Sequence, residues 1–425
     1  MMLTETRTLT AETRNSRPGD LALRGLICVF ANHRPTLLRF PMSEGPLELG
    51  RGSEPRRIPD QCTSRLHARV RHDGEAWVIE DLRSRNGTWV DGRRIERVRV
   101  AAPRVLRIGG ALLVPSDNVF EPNPELLRHP DRPIVGARLA RMYDTLATLA
   151  SSRTLHIGGE SGSGKELAAR RFHELGPRRD GPFVAVNCAT IPSQIAERVL
   201  FGAKKGAYTG ATADSDGLVQ SAAGGTLFLD EIAELDAGVQ AKLLRLLDSG
   251  EVLPLGATRP QRVELGICTA SHVELARVIA AGTFRADLGY RIAEPSITVP
   301  PLRERLDEIP WHVQRALEPS GKLARAEFVE ACMLAPWPGN VRQLYAVVRA
   351  AAARVSSDRM LHASDLVLPD AGLPERAEKR TAPSDEEIRL ALEAHGGNVS
   401  ATARALGMHR TQLRRWLAKH GDRSP

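Results

Sequence analysis

The stretch Gly159-Glu160-Ser161-Gly162-Ser163-Gly164-Lys165-Glu166 decides how this chain is read. It fits the spacing GxxxxGK and stands between a short apolar run, Leu155-His156-Ile157, and a helix-forming run, Leu167-Ala168-Ala169. Glycines at these positions let successive backbone N–H groups turn inward at a helix N-terminus. That geometry suits phosphate oxygens, and the lysine neutralises their charge. One position departs from the general rule: Glu166 stands where Ser or Thr usually contacts magnesium. A bland glycine-rich turn would carry the same residues, so the reading needs a second half. It lies downstream in Leu227-Phe228-Leu229-Asp230-Glu231, a buried-strand pattern ending in two acids. There Asp230 would hold magnesium, directly or through water, and Glu231 would polarise the attacking water. The pair predicts ATP and Mg2+ as cofactors.

Working outward, helical patterns alternate with short apolar strands such as Phe183-Val184-Ala185-Val186 and Thr226-Leu227-Phe228-Leu229 over 134–368. That alternation predicts an α/β domain with a mostly parallel sheet. Residues 24–114 read differently, as short strands separated by the turn signals Asp73-Gly74, Asn86-Gly87 and Asp91-Gly92, with a strand at Ala76-Trp77-Val78-Ile79-Glu80. This is the pattern of an all-β sandwich. Proline-bearing linkers are expected at 115–133 and 369–384, and a compact helical module at 385–421.

The bulk composition agrees with a multidomain chain: 425 residues leave room for three modules, and 42% hydrophobic content supports sizeable cores. No apolar run approaches the length of a membrane span, and the polar N-terminus lacks the apolar core of a secretory signal. The five cysteines form no CxxC pair, which argues for reduced thiols in the cytoplasm and against a structural zinc site. A net charge of +8 permits a nucleic-acid partner without requiring one.

The segments over 134–368 resemble the AAA+ domain of bacterial enhancer-binding proteins, the activators of sigma-54 RNA polymerase. That family often carries Glu after the P-loop lysine, which accounts for Glu166. Its GAFTGA loop is matched by Gly206-Ala207-Tyr208-Thr209-Gly210-Ala211, following Leu200-Phe201-Gly202. The resemblance implies that this loop grips sigma-54, that Asn187 holds Glu231 in a resting pose, and that Arg342 is the sensor II arginine of a helical lid. It also implies that Arg285 and Arg291 reach the γ-phosphate of a neighbouring subunit, so catalysis requires a homo-oligomeric ring, expected to be a hexamer. The departures are Ser271-His272 at the sensor I pair, Val199, Ala203 and Lys204 before the loop, and Ala293 after Arg291-Ile292.

At the C-terminus, Asn398 to Met408 reads as a capped helix ending in a glycine turn, followed by a second helix from His409 to about Lys419. Leu413, Trp416 and Leu417 share one face of it, with Thr411, Arg414 and Arg415 opposite and Arg410 and Gln412 flanking. This is helix-turn-helix geometry with a basic recognition helix. It resembles the Fis-type DNA-binding domain, which implies a dimer on palindromic double-stranded enhancer DNA, base contacts from Arg410 and Gln412, and phosphate contacts from Arg414 and Arg415.

At the N-terminus, Gly50-Arg51, Ser64-Arg65-Leu66-His67 and Ser84-Arg85-Asn86-Gly87-Thr88 resemble the signature segments of forkhead-associated (FHA) domains. The resemblance implies a phosphothreonine cup built from Arg51, Ser64 and Arg65, with Arg85 and Asn86 holding the peptide and His67 bracing the loops. The partner would be a phosphothreonine-bearing protein or kinase. Expected overall is a cytoplasmic sigma-54-dependent activator with an ATPase motor. The alternative is an FHA-containing DNA-binding co-regulator with a weak or degenerate ATPase, a reading motivated by His272.

Overall fold

The fold was analysed in a computed structural model, which describes residues 23–42, 45–52, 57–119, 133–355 and 360–369, with scattered positions between 388 and 417. The chain falls into two compact units, one up to Val367 and one from Leu368.

The first unit opens with ten strands: β1 (Gly25–Ala31), β2 (Arg34–Pro41), β3 (Leu47–Leu49), β4 (Ala68–His72), β5 (Trp77–Asp81), β6 (Thr88–Val90), β7 (Arg93–Ile95), β8 (Arg97–Val100), β9 (Leu106–Ile108) and β10 (Ala111–Ser116). They form two antiparallel sheets, ordered β2-β1-β10-β9-β6-β7 and β3-β4-β5-β8. Alternating residues such as Leu26, Cys28, Val70, Ile79 and Leu106 bury one shared core between them. Asp91 and Gly92 both take positive φ, 49° and 78°, which is what a tight turn from β6 into β7 requires. The sandwich runs further than the sequence suggests. Pro115, expected to open a linker, pairs with Leu26 inside β10. It is tolerated there because β9 pairs β10 only as far as Leu113, so no neighbour on that side needs its missing N–H.

The second part of this unit carries five parallel strands: β11 (Thr154–Gly158), β12 (Phe183–Asn187), β13 (Thr226–Asp230), β16 (Gly266–Ser271) and β17 (Ser296–Thr298), ordered β12-β13-β16-β11-β17. Two small hairpin strands, β14 (Glu251–Val252) and β15 (Gln261–Arg262), lie before β16. Helices α1 (Ala137–Leu149), α2 (Lys165–Leu175), α3 (Ser193–Phe201), α4 (Leu218–Ser221), α5 (Ala237–Ser249), α6 (Leu275–Ala280) and α7 (Ala286–Ile292) accompany them. Strand β13 is buried over its first four residues and half-exposed at Asp230, which puts the apolar run in the core and the acid at the rim. A helical lid follows: α8 (Ile309–Leu317), α9 (Ala326–Leu334) and α10 (Asn340–Arg354), with the short strands β18 (Leu323–Ala324) and β19 (Met360–Leu361). Among the described residues no helix is long and apolar enough to cross a membrane.

The β-sandwich and the lid share a core. Ile27, Val29, Phe30 and Leu112 belong to one buried cluster with Val313, Phe328, Met333 and Trp337. Arg107 of β9 pairs with Glu330 of α9 at 2.5 Å, both side chains nearly buried. Arg104 donates to the carbonyls of Met333 and Leu334, the unsatisfied acceptors at the end of α9.

In the second unit Ile388, Leu392, Val399, Trp416 and Leu417 pack together. Trp416, which stands where the Fis-type pattern commonly has lysine, is thus part of an apolar cluster. Arg410, Thr411, Gln412, Arg414 and Arg415 lie outside the described residues.

Candidate functional site

The parallel sheet brings the predicted nucleotide residues to one edge. Its register sets Gly158 beside Ser271 and Asn187 beside Asp230, so the phosphate loop after β11 and both acids at the end of β13 stand at the same C-terminal edge, with β16 between the two strands. Open α/β sheets bind ligands at that edge. The loop after β11 takes positive φ at Gly159, Gly162 and Gly164, leading into α2 at Lys165. At Gly162 a Cβ would lie 2.4 Å from the Gly339 carbonyl of the lid, so only glycine fits. The cavity beside the loop holds about 460 Å³. It is lined by Ser161 to Glu166, Asp230 and Glu231, and also by Ile134, Leu139, Tyr143, Val341 and Tyr345. A lining that joins charged groups to apolar and aromatic ones suits the two halves of a nucleotide.

Lys165 is buried and donates to the carbonyls of Gly159 (2.9 Å) and Glu160 (3.4 Å), with Glu231 3.6 Å away. The Ser163 hydroxyl is buried without a hydrogen-bond partner among the described residues. Amides at a helix N-terminus, a buried lysine and an unpaired hydroxyl form a donor set that fits a polyphosphate. Burial raises the Asp230 carboxyl above its usual range; Lys165 opposes that shift and Glu231 reinforces it. A single carboxylate beside phosphates suits magnesium, which keeps several waters and takes one or two protein ligands. Glu166 points elsewhere, to Arg170 at 2.8 Å.

Glu231 has φ 53°, a left-handed backbone rare for a residue with a side chain. Its carboxylate accepts from the His272 imidazole Nδ1 at 2.5 Å and from the His272 backbone N–H at 3.3 Å. Burial pushes this carboxyl up, but the His272 hydrogen bond and the Lys165 charge more than offset it, leaving it below its usual range. Asn187, expected to hold Glu231, instead accepts from the Ala189 N–H at 2.9 Å and so caps a short 3-10 helix. No hydrogen bond joins it to Glu231 among the described residues. Ser271 turns into the core and donates to the Val273 carbonyl at 2.6 Å.

The lid closes over the loop through residues the sequence did not single out. Arg303 forks onto Glu160 at 2.9 and 2.8 Å. Asn340, fully buried, donates to Glu160 and to the Ser161 carbonyl and accepts from the Leu302 N–H. Arg305, also buried, bonds the Ser163 carbonyl at 3.0 Å and Glu308 at 3.1 Å. Arg342 donates to the Ser161 hydroxyl at 3.2 Å and lines the cavity. Arg285 and Arg291 do not reach it within one protomer: each pairs with a carboxylate on its own chain, Asp287 at 2.7 Å and Asp248 at 3.3 Å.

The segment Gly206 to Ala211 is a projecting loop. Added Cβ atoms at Gly206 and Gly210 would meet nothing, and Tyr208 is exposed beneath the Arg198 guanidinium, 4.6 Å from its ring. Lys204, a departure from the family pattern, pairs with Asp214 at 2.7 Å across the base of this loop.

On the β-sandwich, Arg51, Arg57 and Arg65 line one open depression with Asn32 and Asp60. Ser64 accepts from the Arg85 N–H at 3.1 Å, and Asn86 donates to the Cys62 carbonyl at 2.6 Å. His67 is fully buried; it accepts from the Ser64 N–H through Nδ1, which leaves Nε2–H to donate to the Gly87 carbonyl. Burial lowers its pKa, in keeping with a neutral brace between the two loops. Asp81 accepts from Ser84 and Thr88 and fixes the second loop. The sequence missed Arg57, whose position near the other arginines depends on tertiary structure.

Comparison with known proteins adds three matched regions: a sigma-54 interaction domain over 136–298, an FHA domain over 47–109, and the regulatory-protein Fis family over 385–420. The chain is 40% identical over 277 residues to the transcriptional regulatory protein GlrR of Escherichia coli, covering 62% of each. It is 38% identical over 323 residues to the response regulator protein PilR of Pseudomonas aeruginosa, covering 70% of this chain and 72% of that one. It therefore spans about three fifths of the length of GlrR, at 62%. Crystalline NtrX from Brucella abortus in complex with ATP is similar in structure, with TM-score 0.50 and 30% identity over 69% of each chain. On this extent of identity, and with all three domain types present, the chain belongs to the family of sigma-54-dependent transcriptional regulators.

Proposed function

We propose that this protein is a DNA-bound ATPase that remodels sigma-54 RNA polymerase from the closed to the open promoter complex. The carrying observation is the convergence of Lys165, Asp230, Glu231 and Arg342 on one cavity. In the reaction, the water oxygen bonds the γ-phosphorus, Glu231 takes its proton, and the bridging bond breaks to give ADP and phosphate. Magnesium, held by Asp230, would supply charge neutralisation to the phosphates. Lys165 moves from the loop carbonyls onto the β/γ oxygens, and Arg305 keeps the loop in shape through Ser163. Arg285 and Arg291 act on the next protomer of a ring, expected to be a hexamer; their exposure and their absence from the lining of their own cavity support this reading.

The loop at Gly206 to Ala211 is the sigma-54 contact, and 385–421 is the module that reads double-stranded enhancer DNA. The β-sandwich over 24–114 takes a phosphothreonine on a kinase or another subunit and thereby gates the ring. That input is supported by its arginine-lined depression and by the core it shares with the lid over the nucleotide. A second reading, a co-regulator with weak ATPase, is favoured by one observation: Glu231 is already bound by His272.

The deciding experiment is open-complex formation on a sigma-54 promoter with wild type and Thr209→Ala. Wild type should open the promoter with ATP, and the variant should lose opening far more than ATP turnover. ATP turnover by the wild type with no opening would overturn the activator reading and leave the second one standing.

A further inference from the structure

The residue on which the proposed base depends is not where the family pattern puts it. Glu231 sits at a left-handed backbone position, so its side chain leaves the sheet edge in a direction fixed by the turn. Its partners there are Lys165, at 3.6 Å from one oxygen, and His272, which reaches the other oxygen through both ring and backbone. These contacts hold the carboxylate in one orientation and make it a poorer acceptor for a water proton until one of them is released. Incoming phosphates draw Lys165 away, because they are the stronger partner for its charge. Nothing in that exchange displaces His272. Asn187, at the end of the neighbouring strand, gives its amide oxygen to the Ala189 N–H and makes no hydrogen bond with Glu231 among the described residues. The end of the strand explains the assignment: Ser271, the last residue of β16, turns inward to Val273, and His272, the first residue beyond it, meets the acid.

Resting on the ATPase reading, we propose that His272 is a positioning residue that restrains Glu231, so that the base engages water only after it leaves the imidazole. The usual asparagine restraint on the neighbouring strand has thus moved across the sheet. Release of this latch is a separate step from nucleotide binding, which gives sigma-54 contact or phosphopeptide input a point at which to act on turnover.

Two measurements on the full-length protein test it. In protein with 15N-labelled histidine and no nucleotide, His272 should show a strongly downfield Nδ1–H resonance that disappears in Glu231→Gln. Its absence from wild type overturns the proposal whatever the ATPase does. In turnover assays, His272→Ala should raise basal kcat about 3- to 10-fold, the worth of one partly exposed charge-assisted hydrogen bond. KM and the Kd of a non-hydrolysable ATP analogue should stay within about twofold, because ground-state binding is untouched. His272→Asn, whose amide can donate from nearly the same place, should return kcat toward wild type. An unchanged or lower kcat in His272→Ala with analogue binding intact overturns the proposal, as does release by Asn187→Ala in its place. Wild type that binds the analogue but never hydrolyses ATP defeats the ATPase reading instead, and the resonance still decides whether the latch exists.

Discussion

Removing Arg107 should unseat the β-sandwich from the lid, and the size of the effect can be worked out. The Arg107–Glu330 contact is 2.5 Å long, with side chains 13% and 5% exposed, and the guanidinium lies 4.2 Å from the Trp89 ring centroid. Breaking a buried pair from one side costs about 3–5 kcal/mol, because the remaining charge is stranded, and the lost ring contact adds about 1 kcal/mol. Arg107→Ala should therefore lose about 4–6 kcal/mol in urea unfolding followed by tryptophan fluorescence. Replacing both partners with apolar residues of similar volume, as in Arg107→Met with Glu330→Leu, should restore most of that loss. Burial already holds the Glu330 carboxyl above its ordinary range, with Arg107 pulling the other way. A raised carboxyl favours the folded state fully below its unfolded pKa and loses that contribution as pH rises through the folded value. Without Arg107 the carboxyl rises further, so the deficit of Arg107→Ala should grow from about pH 5 to pH 8. Additivity of the two substitutions within about 0.5 kcal/mol, or a deficit independent of pH, would refute the reasoning.

Three further outcomes follow from particular residues. Gly162→Ala puts a Cβ against the Gly339 carbonyl at a positive φ, so isothermal titration should show ATP affinity reduced by at least about tenfold, with about 1–3 kcal/mol of destabilisation. Asp307, raised to about 6 by burial and by Glu308, accepts from the Ala137 N–H at the start of α1. Its raised pKa favours folding below its unfolded value near 4 and ceases to do so as pH rises through 6, so Asp307→Asn, which can still accept, should gain on wild type by about 1–2 kcal/mol between pH 4 and pH 7.5 in chemical unfolding. Arg51→Ala should weaken binding of a phosphothreonine peptide by about tenfold or more in fluorescence anisotropy, and normal binding would remove the phosphopeptide input.

The division between what was legible and what was not follows sequence distance. The phosphate loop, the acid-tipped strand and the Asn86-Gly87 and Asp91-Gly92 turns could be read because each is local. Positive φ favours glycine or a short polar residue, and a buried strand favours an apolar run, whatever surrounds them. The resemblances added the module order and the projecting loop at Thr209. The partners of those segments could not be read. Glu160 meets Arg303, Ser163 meets Arg305 and Arg107 meets Glu330 across separations of 143, 142 and 223 residues, and no local rule pairs one arginine with one acid at such a range.

His272 shows the limit most sharply. By itself the sequence determined that an imidazole stands at the sensor I pair, as a departure from the expected pattern. Only the tertiary structure decided what it touches. Register places β16 next to β13, the chain leaves β16 at His272, and the left-handed turn at Glu231 aims the carboxylate at it. Sequence sets which chemical groups exist and the local backbone they need; the packing of strands distant along the chain sets which of those groups meet.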